Sequence, residues 1–265
     1  MILGKTELIE KFKQLGLCNG MTVEVIGSIQ DMGFIAGGVQ TVVDALIETV
    51  GYNGTILMPF NCVGNTEPST WINPIVQPEL VKEIRTKLPP FNPKESETLS
   101  NSSIVDNLRR RDGILISYHP NRAYVAWGKY SKLLCNSQPL NFAYSYNSPA
   151  NKLNDLKGYT LLLGVDYDQA TSLLFAQYFN DLAPIGINCA MMDNQGKHEY
   201  NKFLDIEFDN TISMKAGNVL ERNNIVSKIN IGNAVCKLFP FDIALNFTAK
   251  YLKEISIISL YQKEN

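Results

Sequence analysis

Two apolar strands joined by an amphipathic helix occupy the first quarter of the chain. Residues 21–29 and 55–60 are short, rich in β-branched side chains and almost continuously apolar, as strands buried on both faces are. Between them, apolar residues recur with the spacing of one helix face: Val39, Val42, Val43, Leu46, Ile47 and Val50. A strand–helix–strand unit of this kind has parallel strands and a helix packed across them. The pattern predicts an α/β fold, a three-layer sandwich with a largely parallel central sheet.

The rest of the chain predicts further strands and then a different arrangement. Residues 114–118 and 159–165 are apolar stretches of strand length. Beyond Pro184, residues 186–208 have the pattern of an antiparallel hairpin with a turn at its centre. The domain organisation that we expect is an α/β core over 1–183, a smaller, mixed α/β and β-rich lobe inserted over 184–240, and a C-terminal helix over 241–265 returning to the core.

The charge balance excludes several classes of partner. Twenty-four Lys and Arg residues against 26 Asp and Glu give a net charge of −2, so the chain has no excess of positive charge to bind nucleic acid or an anionic membrane. It has no run of about 18 apolar residues to span a bilayer and no signal-peptide pattern. With five cysteines scattered singly, we expect a reduced, cytoplasmic protein whose partners are small molecules.

The sequence lacks familiar catalytic signatures. It contains no G-x-S-x-G elbow, no G-x-x-x-x-G-K-[ST] phosphate loop, no G-x-G-x-x-G motif and no H-E-x-x-H zinc motif. Its two histidines, His119 and His198, lie in unlike contexts, and His198 has the surroundings of a surface residue. The cysteines have no C-x-x-C spacing. We therefore expect chemistry that needs no metal.

One candidate ligand site lies where the first strand ends and the next helix begins. Ser28 is at the carboxyl end of that strand, and Gly37 and Gly38 open the helix. Ligands of α/β proteins collect at the carboxyl ends of strands, and free N–H groups at a helix N-terminus bind phosphate. This placement is compatible with a phosphate-bearing ligand. The alternative is a tight glycine loop beside a serine with a structural role.

Other candidates follow two later strands. His119 stands directly after residues 114–118, where it is either a general base with a pKa near neutrality or a buried structural histidine. Asp166 and Asp168 follow residues 159–165. Carboxylates at this edge can orient a histidine or hold a substrate amine. They can equally cap the helix that begins near Thr171.

Longer stretches match a known family in order along the chain. They are LGLCNGMTVEV (15–25), Ser28 with GFIAGGVQTVVDAL (33–46), GTILMPF (54–60), FNP (91–93), HPNRAYVAWGK (119–129), SPANKL (148–153), GYTLLLGVDYD (158–168), Thr171 and IGNAVCKLF (231–239). On these residues the sequence resembles the antibiotic N-acetyltransferase family, of the aminoglycoside 3-N-acetyltransferase type, over nearly its whole length.

The resemblance implies two substrates and a set of binding residues. An acyl-coenzyme A donor would give its acyl group to the primary amine of an amino sugar, without a metal. The positions implied for coenzyme A are Ser28, Ile29, Ile35, Gly37, Gly38, Val39, Ser100, Ser102 and Tyr124. The positions expected to contact the acceptor are Asn147, Asp166, Thr171 and Gln177.

The chain departs from the family pattern at catalytic positions. Where the family has His-Ser-Ser at the end of the first strand, only Ser28 remains. The family's histidine and glutamate after Thr171 are here Leu174 and Gln177, and a family glutamate is replaced by Asn147. With the usual base absent, we expect His119 to assist proton removal, with Asp168 as its partner or as an anchor for the acceptor amine.

These departures favour one acceptor over another. Loss of glutamates from a site for a polycation disfavours aminoglycosides and favours an acceptor that is itself anionic. We therefore predict an acyl-CoA-dependent N-acyltransferase acting on a nucleotide-linked aminodeoxy sugar for surface-polysaccharide synthesis. The alternatives are an aminoglycoside 3-N-acetyltransferase of antibiotic resistance and a non-catalytic relative that binds coenzyme A or a sugar. A homodimer is compatible with each.

Overall fold

A computed structural model describes residues 2–98, 103–181 and 183–263, with the side chains of residue 103 and of 255–263 left out of the description. The strands are β1 (Ile2–Leu3), β2 (Thr22–Gly27), β3 (Phe34–Ile35), β4 (Thr55–Phe60), β5 (Leu115–Ile116), β6 (Ala123–Gly128), β7 (Tyr159–Leu163), β8 (Ile185–Asn194), β9 (Lys197–Ile206), β10 (Ser227–Ile231) and β11 (Ala234–Pro240). The helices are α1 (Lys5–Leu15), α2 (Gly38–Val50), α3 (Val81–Lys87), α4 (Ser103–Arg109), α5 (Ser131–Cys135), α6 (Pro149–Asp155), α7 (Thr171–Ala176), α8 (Asn210–Arg222) and α9 (Phe241–Lys263).

Seven strands form one mixed sheet in the order β10-β11-β7-β2-β4-β6-β5. Strand β2 pairs in parallel with β7 and β4, whereas the β10/β11, β11/β7, β4/β6 and β5/β6 pairs are antiparallel. The expected α/β fold is confirmed, but the expectation of a largely parallel sheet is wrong. An apolar strand reports burial on both faces, which the centre of a mixed sheet provides as well as a parallel one.

Helices cover both faces of this sheet, and side chains that alternate along each strand divide between the two cores. On β7, Leu161 and Leu163 pack toward one core with α1, α2 and α4. Leu162 points the other way, into a cluster that includes Ala216 and Leu220 of α8. Helices α6, α7 and α9 also pack on this second face. The period-two alternation of strands therefore builds two apolar layers around one sheet.

The residues expected to form a smaller lobe over 184–240 divide between two structures. Strands β8 and β9 form a separate antiparallel hairpin with its own small core of Ala190, Met192 and Phe203. Strands β10 and β11 instead pair with β7 and complete one side of the main sheet. Helix α9 follows β11 and packs against α7. In the described part of the chain, no helix has the length and apolar run that crossing a bilayer requires.

Candidate active site

A cavity of about 350 Å³ opens at the carboxyl ends of β2 and β4. It lies across the edge of the sheet, with α4 on one side and α7 on the other. Its lining residues are Ile26, Gly27, Pro59, Phe60, Asn61, Val105, Arg122, Tyr144, Asp168, Gln169, Thr171, Leu174, Phe208 and Asn210. Parallel strands have their carboxyl ends at the same edge of a sheet. The carboxyl ends of β7, β2 and β4, the three parallel strands at the centre of this mixed sheet, therefore meet at the cavity.

Arg122 supplies a fixed positive charge to the cavity wall. Its guanidinium carbon lies 4.4 Å from the centre of the Phe208 ring and 5.2 Å from that of Tyr144. Its Nη1 donates a hydrogen bond of 3.0 Å to the Tyr144 hydroxyl, and its Nε lies 3.8 Å from Oδ2 of Asp205. Burial lowers the pKa of Arg122, but Tyr144 and Asp205 outweigh it and raise the pKa overall. The side chain is therefore cationic at all physiological pH values.

Asp168 and Thr171 add polar groups to the lining of the same cavity. Asp168 lies in a 3-10 turn over Tyr167–Gln169, and Thr171 begins α7. Of the cavity-lining residues that the structure describes, Asp168 is the one carboxylate. A carboxylate facing a cavity can hold an ammonium group, and a hydroxyl beside it can donate or accept a proton. The pair can therefore bind and orient an amine.

A buried carboxyl group lies beneath the cavity, on the central strand. Glu24 of β2 is 0% exposed, and burial raises the pKa of its carboxyl to about 8, opposed by contacts with the Thr171 and Thr160 side chains. Its Oε1 and the hydroxyl of Tyr124 have no hydrogen-bond partner among the described residues. An uncharged carboxylic acid at neutral pH is the form that such a site favours.

Two of the residues predicted from the sequence line this cavity, namely Asp168 and Thr171. Leu174, at the position where the family has histidine, also lines it and is 8% exposed. These three residues belong to one continuous stretch that leaves β7, turns and enters α7. The stretch after this strand therefore contributes to the cavity wall.

The geometry argues against His119 as the base. The ring is fully buried: its Nε2 donates to the carbonyl of Leu140 at 3.1 Å, and its Nδ1 accepts from the backbone N–H groups of Asn121 and Arg122. Burial lowers the pKa of His119 to about 4. Because both nitrogens already have partners and the ring is outside the cavity lining, His119 orders the loop that presents Arg122.

Three expected acceptor contacts also lie outside the cavity. Asp166 is half exposed and pairs with Lys237 at 2.5 Å. Asn147 is on the surface with a positive φ of 68°. The amide of Gln177 is buried and holds the start of α8, since it bonds both the N–H and the carbonyl of Asp209. Neutral side chains at 147 and 177 therefore do not change the charge of the cavity, and the charge argument built on them is wrong.

Six of the residues implied for coenzyme A, from Ser28 to Val39, lie between the end of β2 and the first turn of α2. The structure does not place Tyr124 with them, because its side chain is buried in the second core beside α7. Ser28 directly follows Gly27 of the cavity, and its hydroxyl accepts from the N–H of Gln30 at 3.3 Å. Helix α2 begins at Gly38, and its capping residue Gly37 has φ 83° and no side-chain cap. Of the remaining implied residues, Ile29 and Val39 are half-buried, Ile35 and Tyr124 are buried, and Ser100 and Ser102 lie outside the described residues.

Sequence reasoning missed four residues that shape the site: Glu24, Arg122, Tyr144 and Phe208. Glu24 had a detectable signal, because it is an ionisable residue in an otherwise apolar strand. Arg122 lies inside the matched stretch HPNRAYVAWGK but at a position to which the resemblance assigned no role. Tyr144 and Phe208 lie in loops, and only the tertiary structure brings them together on the Arg122 guanidinium.

A family model described as aminoglycoside 3-N-acetyltransferase matches residues 25–253. The chain is 34% identical over 248 residues to the SPbeta prophage-derived aminoglycoside N(3')-acetyltransferase-like protein YokD of Bacillus subtilis (strain 168), covering 93% of this chain and 91% of that protein. The crystal structure of YokD matches with a TM-score of 0.88 at 33% identity, over 94% of this chain and 98% of that one.

Two further relatives have names that refer to substrates. Aminoglycoside N(3)-acetyltransferase III of Pseudomonas aeruginosa is 28% identical over 173 residues, which are 64% of this chain and 62% of that protein. The structure described as AAC-IIIb binary with CoASH has a TM-score of 0.85 at 23% identity, over 96% of this chain and 97% of that one. At that identity the second match shows a shared fold.

Proposed function

Since this chain belongs to the aminoglycoside 3-N-acetyltransferase family, we propose that it transfers an acyl group from acyl-coenzyme A to a primary amine of an amino sugar. The observation that supports this most is the cavity at the carboxyl edge of the sheet, whose lining includes both Asp168 and Thr171. A carboxylate anchor and a hydroxyl beside it are what an incoming amine requires.

The donor side of the proposal rests on the start of α2. Gly37 is exposed there, so backbone N–H groups at the N-terminus of a 13-residue helix are open to an anion. We assign the coenzyme A phosphates to this mouth, with Ser28, Ile29, Ile35, Gly38 and Val39 around them. The cavity begins one residue before Ser28, at Gly27, which gives the thioester a route to the acceptor.

The acceptor side of the proposal rests on the polar residues that line the cavity. Asp168 would hold an ammonium group of the sugar, while the amides of Asn61 and Asn210 can bond hydroxyl groups. Tyr144 and Phe208 add aromatic side chains to the same lining. In the reaction the amine nitrogen attacks the thioester carbon, a C–N bond forms, the C–S bond breaks, and the nitrogen loses a proton.

An aminoglycoside is the leading candidate acceptor. Aminoglycoside N(3)-acetyltransferase III is named for this class, and YokD is named as a protein like such an enzyme. Asp168 is a fitting partner for one ammonium group of an aminoglycoside. A nucleotide-linked amino sugar is the second candidate, and Arg122 is the observation that favours it. A fixed guanidinium in the cavity wall could bind a pyrophosphate and would repel a polycation.

Release of free thiol from acyl-coenzyme A tests the proposal. The purified protein is given acetyl-CoA and longer acyl-CoAs with one panel of aminoglycosides and one of nucleotide-linked amino sugars. We expect turnover with aminoglycosides. We also expect Asp168→Asn to raise the acceptor KM about tenfold or more, because a charge-assisted contact is lost.

Asp166→Asn is the matched control, since Asp166 lies two residues away but outside the cavity lining, and asparagine keeps its capping role. We expect its acceptor KM to stay within about twofold of the parent value. Turnover with nucleotide-linked sugars alone would identify the second candidate. No thiol release in either panel would contradict acyl transfer and favour a binding protein.

A further inference from the structure

Glu24 lies on β2, the central strand of the sheet, two residues before Ile26 of the cavity lining. In the strand register it stands beside Thr160 of β7 and Leu57 of β4. Side chains alternate along a strand, so Glu24 points to the same face as Ile26, and Ile26 lines the cavity. A charged residue at such a position needs a reason, because ionisable groups are almost never fully buried without a partner.

The partners of Glu24 are hydroxyl groups and not cations. The Thr160 hydroxyl donates to Oε2 at 3.4 Å, and the Thr171 side chain interacts with the carboxyl from α7. The Tyr124 hydroxyl also faces Thr171. Glu24 Oε1 and the Tyr124 oxygen have no hydrogen-bond partner in the described chain, so this buried carboxyl has an oxygen that is free to form a further hydrogen bond.

Thr171 connects this buried group to the cavity. Thr171 begins α7 and belongs to the cavity lining, and its hydroxyl is near enough to the Glu24 carboxyl to lower the pKa of that group. We propose that Glu24 takes up the proton that the acceptor amine loses, and that the proton passes through the hydroxyl of Thr171. The inference rests on the proposed acyl transfer. Thr171 is then the catalytic residue that touches the amine, and Glu24 is a positioning residue that acts through it.

The proton movements balance in this scheme. The amine nitrogen bonds to the thioester carbon and becomes positively charged, and the C–S bond breaks to release coenzyme A thiolate. The nitrogen gives its proton to Oγ1 of Thr171, while the Thr171 proton moves to the Glu24 carboxylate. Glu24 later returns that proton through Thr171 to the thiolate or to solvent. No metal, oxidant or reductant takes part in these steps.

A carboxylate base with a raised pKa makes the reaction dependent on alkaline pH. Burial raises the pKa of Glu24 to about 8, so the group is protonated at lower pH and cannot accept a proton there. Turnover should rise as pH increases through about 8. The titratable groups that interact with Glu24 on its face of the sheet are Tyr124 and Tyr144, and burial raises the pKa of both.

Helix α6, which also packs on β2, carries Lys152 and Asp155. Lys152 bonds Asn136 and Ser137, and Asp155 bonds Asn151, so these charges are directed to the surface. The remaining nearby cation, Arg122, is held by Tyr144 and Asp205. The rise in turnover near pH 8, which we call the alkaline limb, is therefore assigned to the titration of Glu24 and not to that of these neighbours.

Steady-state kinetics of Glu24→Gln against pH tests the inference. We expect kcat to fall about 100-fold, the alkaline rise near pH 8 to disappear, and KM for acyl-CoA to stay within about twofold. A weakly basic amine such as hydroxylamine serves as the acceptor in a second series. Its nitrogen is already deprotonated well below pH 8, so its own titration does not contribute to the pH profile in this range.

Variants of the two threonines separate a proton path from a structural contact. Thr171→Val should lower kcat as Glu24→Gln does, and Thr171→Ser should restore most of it, since serine keeps the hydroxyl. Thr160→Val is the matched control: Thr160 contacts Glu24 away from the cavity and lowers its pKa. We expect this variant to move the alkaline limb to higher pH with little loss of kcat on its plateau.

An infrared titration gives a readout that does not depend on turnover. The parent protein should show a protonated-carboxyl band that disappears as pH rises through about 8, and Glu24→Gln should lack that band. If the parent turns over and Glu24→Gln keeps its kcat and pH profile, the inference is overturned while the proposed function stands. If the parent releases no thiol with any acceptor, both are overturned.

Discussion

Leu174 faces the cavity at the position where the family has histidine, and it lies one helical turn from Thr171. Residues three apart on a helix share a face, so an imidazole here would reach the same acceptor amine. We predict that Leu174→His raises kcat at pH 7.5 about tenfold or more, because general bases typically contribute about 100-fold or more when well placed. Thiol release measures this directly.

Leu174→Gln is the control for this prediction. It adds a polar side chain of similar size without a group that titrates near neutrality, and both variants lose the same apolar packing of Leu174 against the second core. Equal rates for the histidine and glutamine variants would show that position 174 is too far from the reacting nitrogen for proton transfer.

Gln177 occupies the position where the family has glutamate, and restoring that glutamate should destabilise the protein. Gln177 donates to the Asp209 carbonyl at 3.0 Å and to Ser213 Oγ at 3.1 Å, and it accepts from the Asp209 N–H at 2.8 Å. Glutamate at this site loses both donors and places a charge against a carbonyl oxygen. We predict that Gln177→Glu lowers the free energy of unfolding by about 2 kcal/mol.

Urea denaturation at neutral pH measures this loss. Gln169→Glu is the matched control, since Gln169 is exposed and should change stability by less than about 0.5 kcal/mol. An unchanged midpoint for Gln177→Glu would mean that α8 does not depend on this amide. Leu174→His combined with Gln177→Glu should then be less stable than Leu174→His alone and no more active.

At the level of single residues, the sequence predicted what depends on chain position and missed what depends on contacts. Asp168 and Thr171 follow an apolar strand, and strand ends can be found by pattern. His119 also follows one, but its two ring nitrogens are engaged by backbone groups of Leu140, Asn121 and Arg122. Nothing in a local pattern distinguishes a free ring from one that is fully hydrogen-bonded.

At the level of elements, helix α8 and the turn that holds Asp168 depend on one close contact. Gly217 of α8 lies against the ring of Tyr167, and an added methyl group would overlap the Tyr167 Cγ and Cδ atoms. The ring has little freedom to move, because it is buried, its hydroxyl donates to Glu221 at 2.8 Å, and the Lys237 ammonium lies 4.1 Å from its centre.

We predict that Gly217→Ala lowers the free energy of unfolding by about 2–3 kcal/mol, although alanine favours helix by about 1 kcal/mol over glycine. Because Tyr167 and Asp168 share a turn, the acceptor KM should also rise. Chemical denaturation and thiol-release kinetics measure the two effects. Asn218→Ala is the control: the next residue is exposed, and alanine there should be neutral or slightly stabilising. A Gly217→Ala protein as stable as the parent would contradict the packing argument.

In the main sheet, the strands that the sequence predicted are those with continuous apolar runs, and the antiparallel hairpin predicted over 186–208 corresponds to β8 and β9. Residues 21–29, 55–60 and 159–165 correspond to β2, β4 and β7. The predicted 114–118 is a two-residue edge strand in the structure, and β6 was not predicted. Strand β10 alternates polar and apolar residues because it is an edge strand. The direction of each strand depends on its connection, so antiparallel β6 and β11 could not be read from apolarity.

At the level of the whole molecule, the cavity draws on residues from 26 to 210, although the fold places them within one edge of the sheet. The three central strands β7, β2 and β4 run parallel to each other, and antiparallel strands extend the sheet on both sides. The rule that ligands bind at carboxyl ends therefore applies locally. The edge that it predicts is the edge at which the cavity opens, even though the sheet as a whole is mixed.

Coenzyme A should stabilise the entire chain through this edge. A ligand at about 100 times its Kd raises the free energy of unfolding by about 2.7 kcal/mol, which corresponds to an increase in melting temperature of about 5–10 °C for a chain of this size. We predict that Gly37→Ala removes at least half of this increase. Gly37 has φ 83° and caps α2, so a methyl group strains the loop and closes toward Thr41 at the helix mouth.

Gly20→Ala is the matched control for the donor site. Gly20 also has a positive φ, 87°, but lies before the other end of β2 with open space around it, so its intrinsic strain is similar and its distance from the cavity is large. Differential scanning fluorimetry with and without coenzyme A separates the two effects: both variants should melt earlier than the parent, and only Gly37→Ala should lose the ligand-induced increase. If coenzyme A raises the melting temperature of both variants equally, its phosphates bind elsewhere. The depression that contains Lys228 and Lys237 would then be the next surface to test by the same measurement.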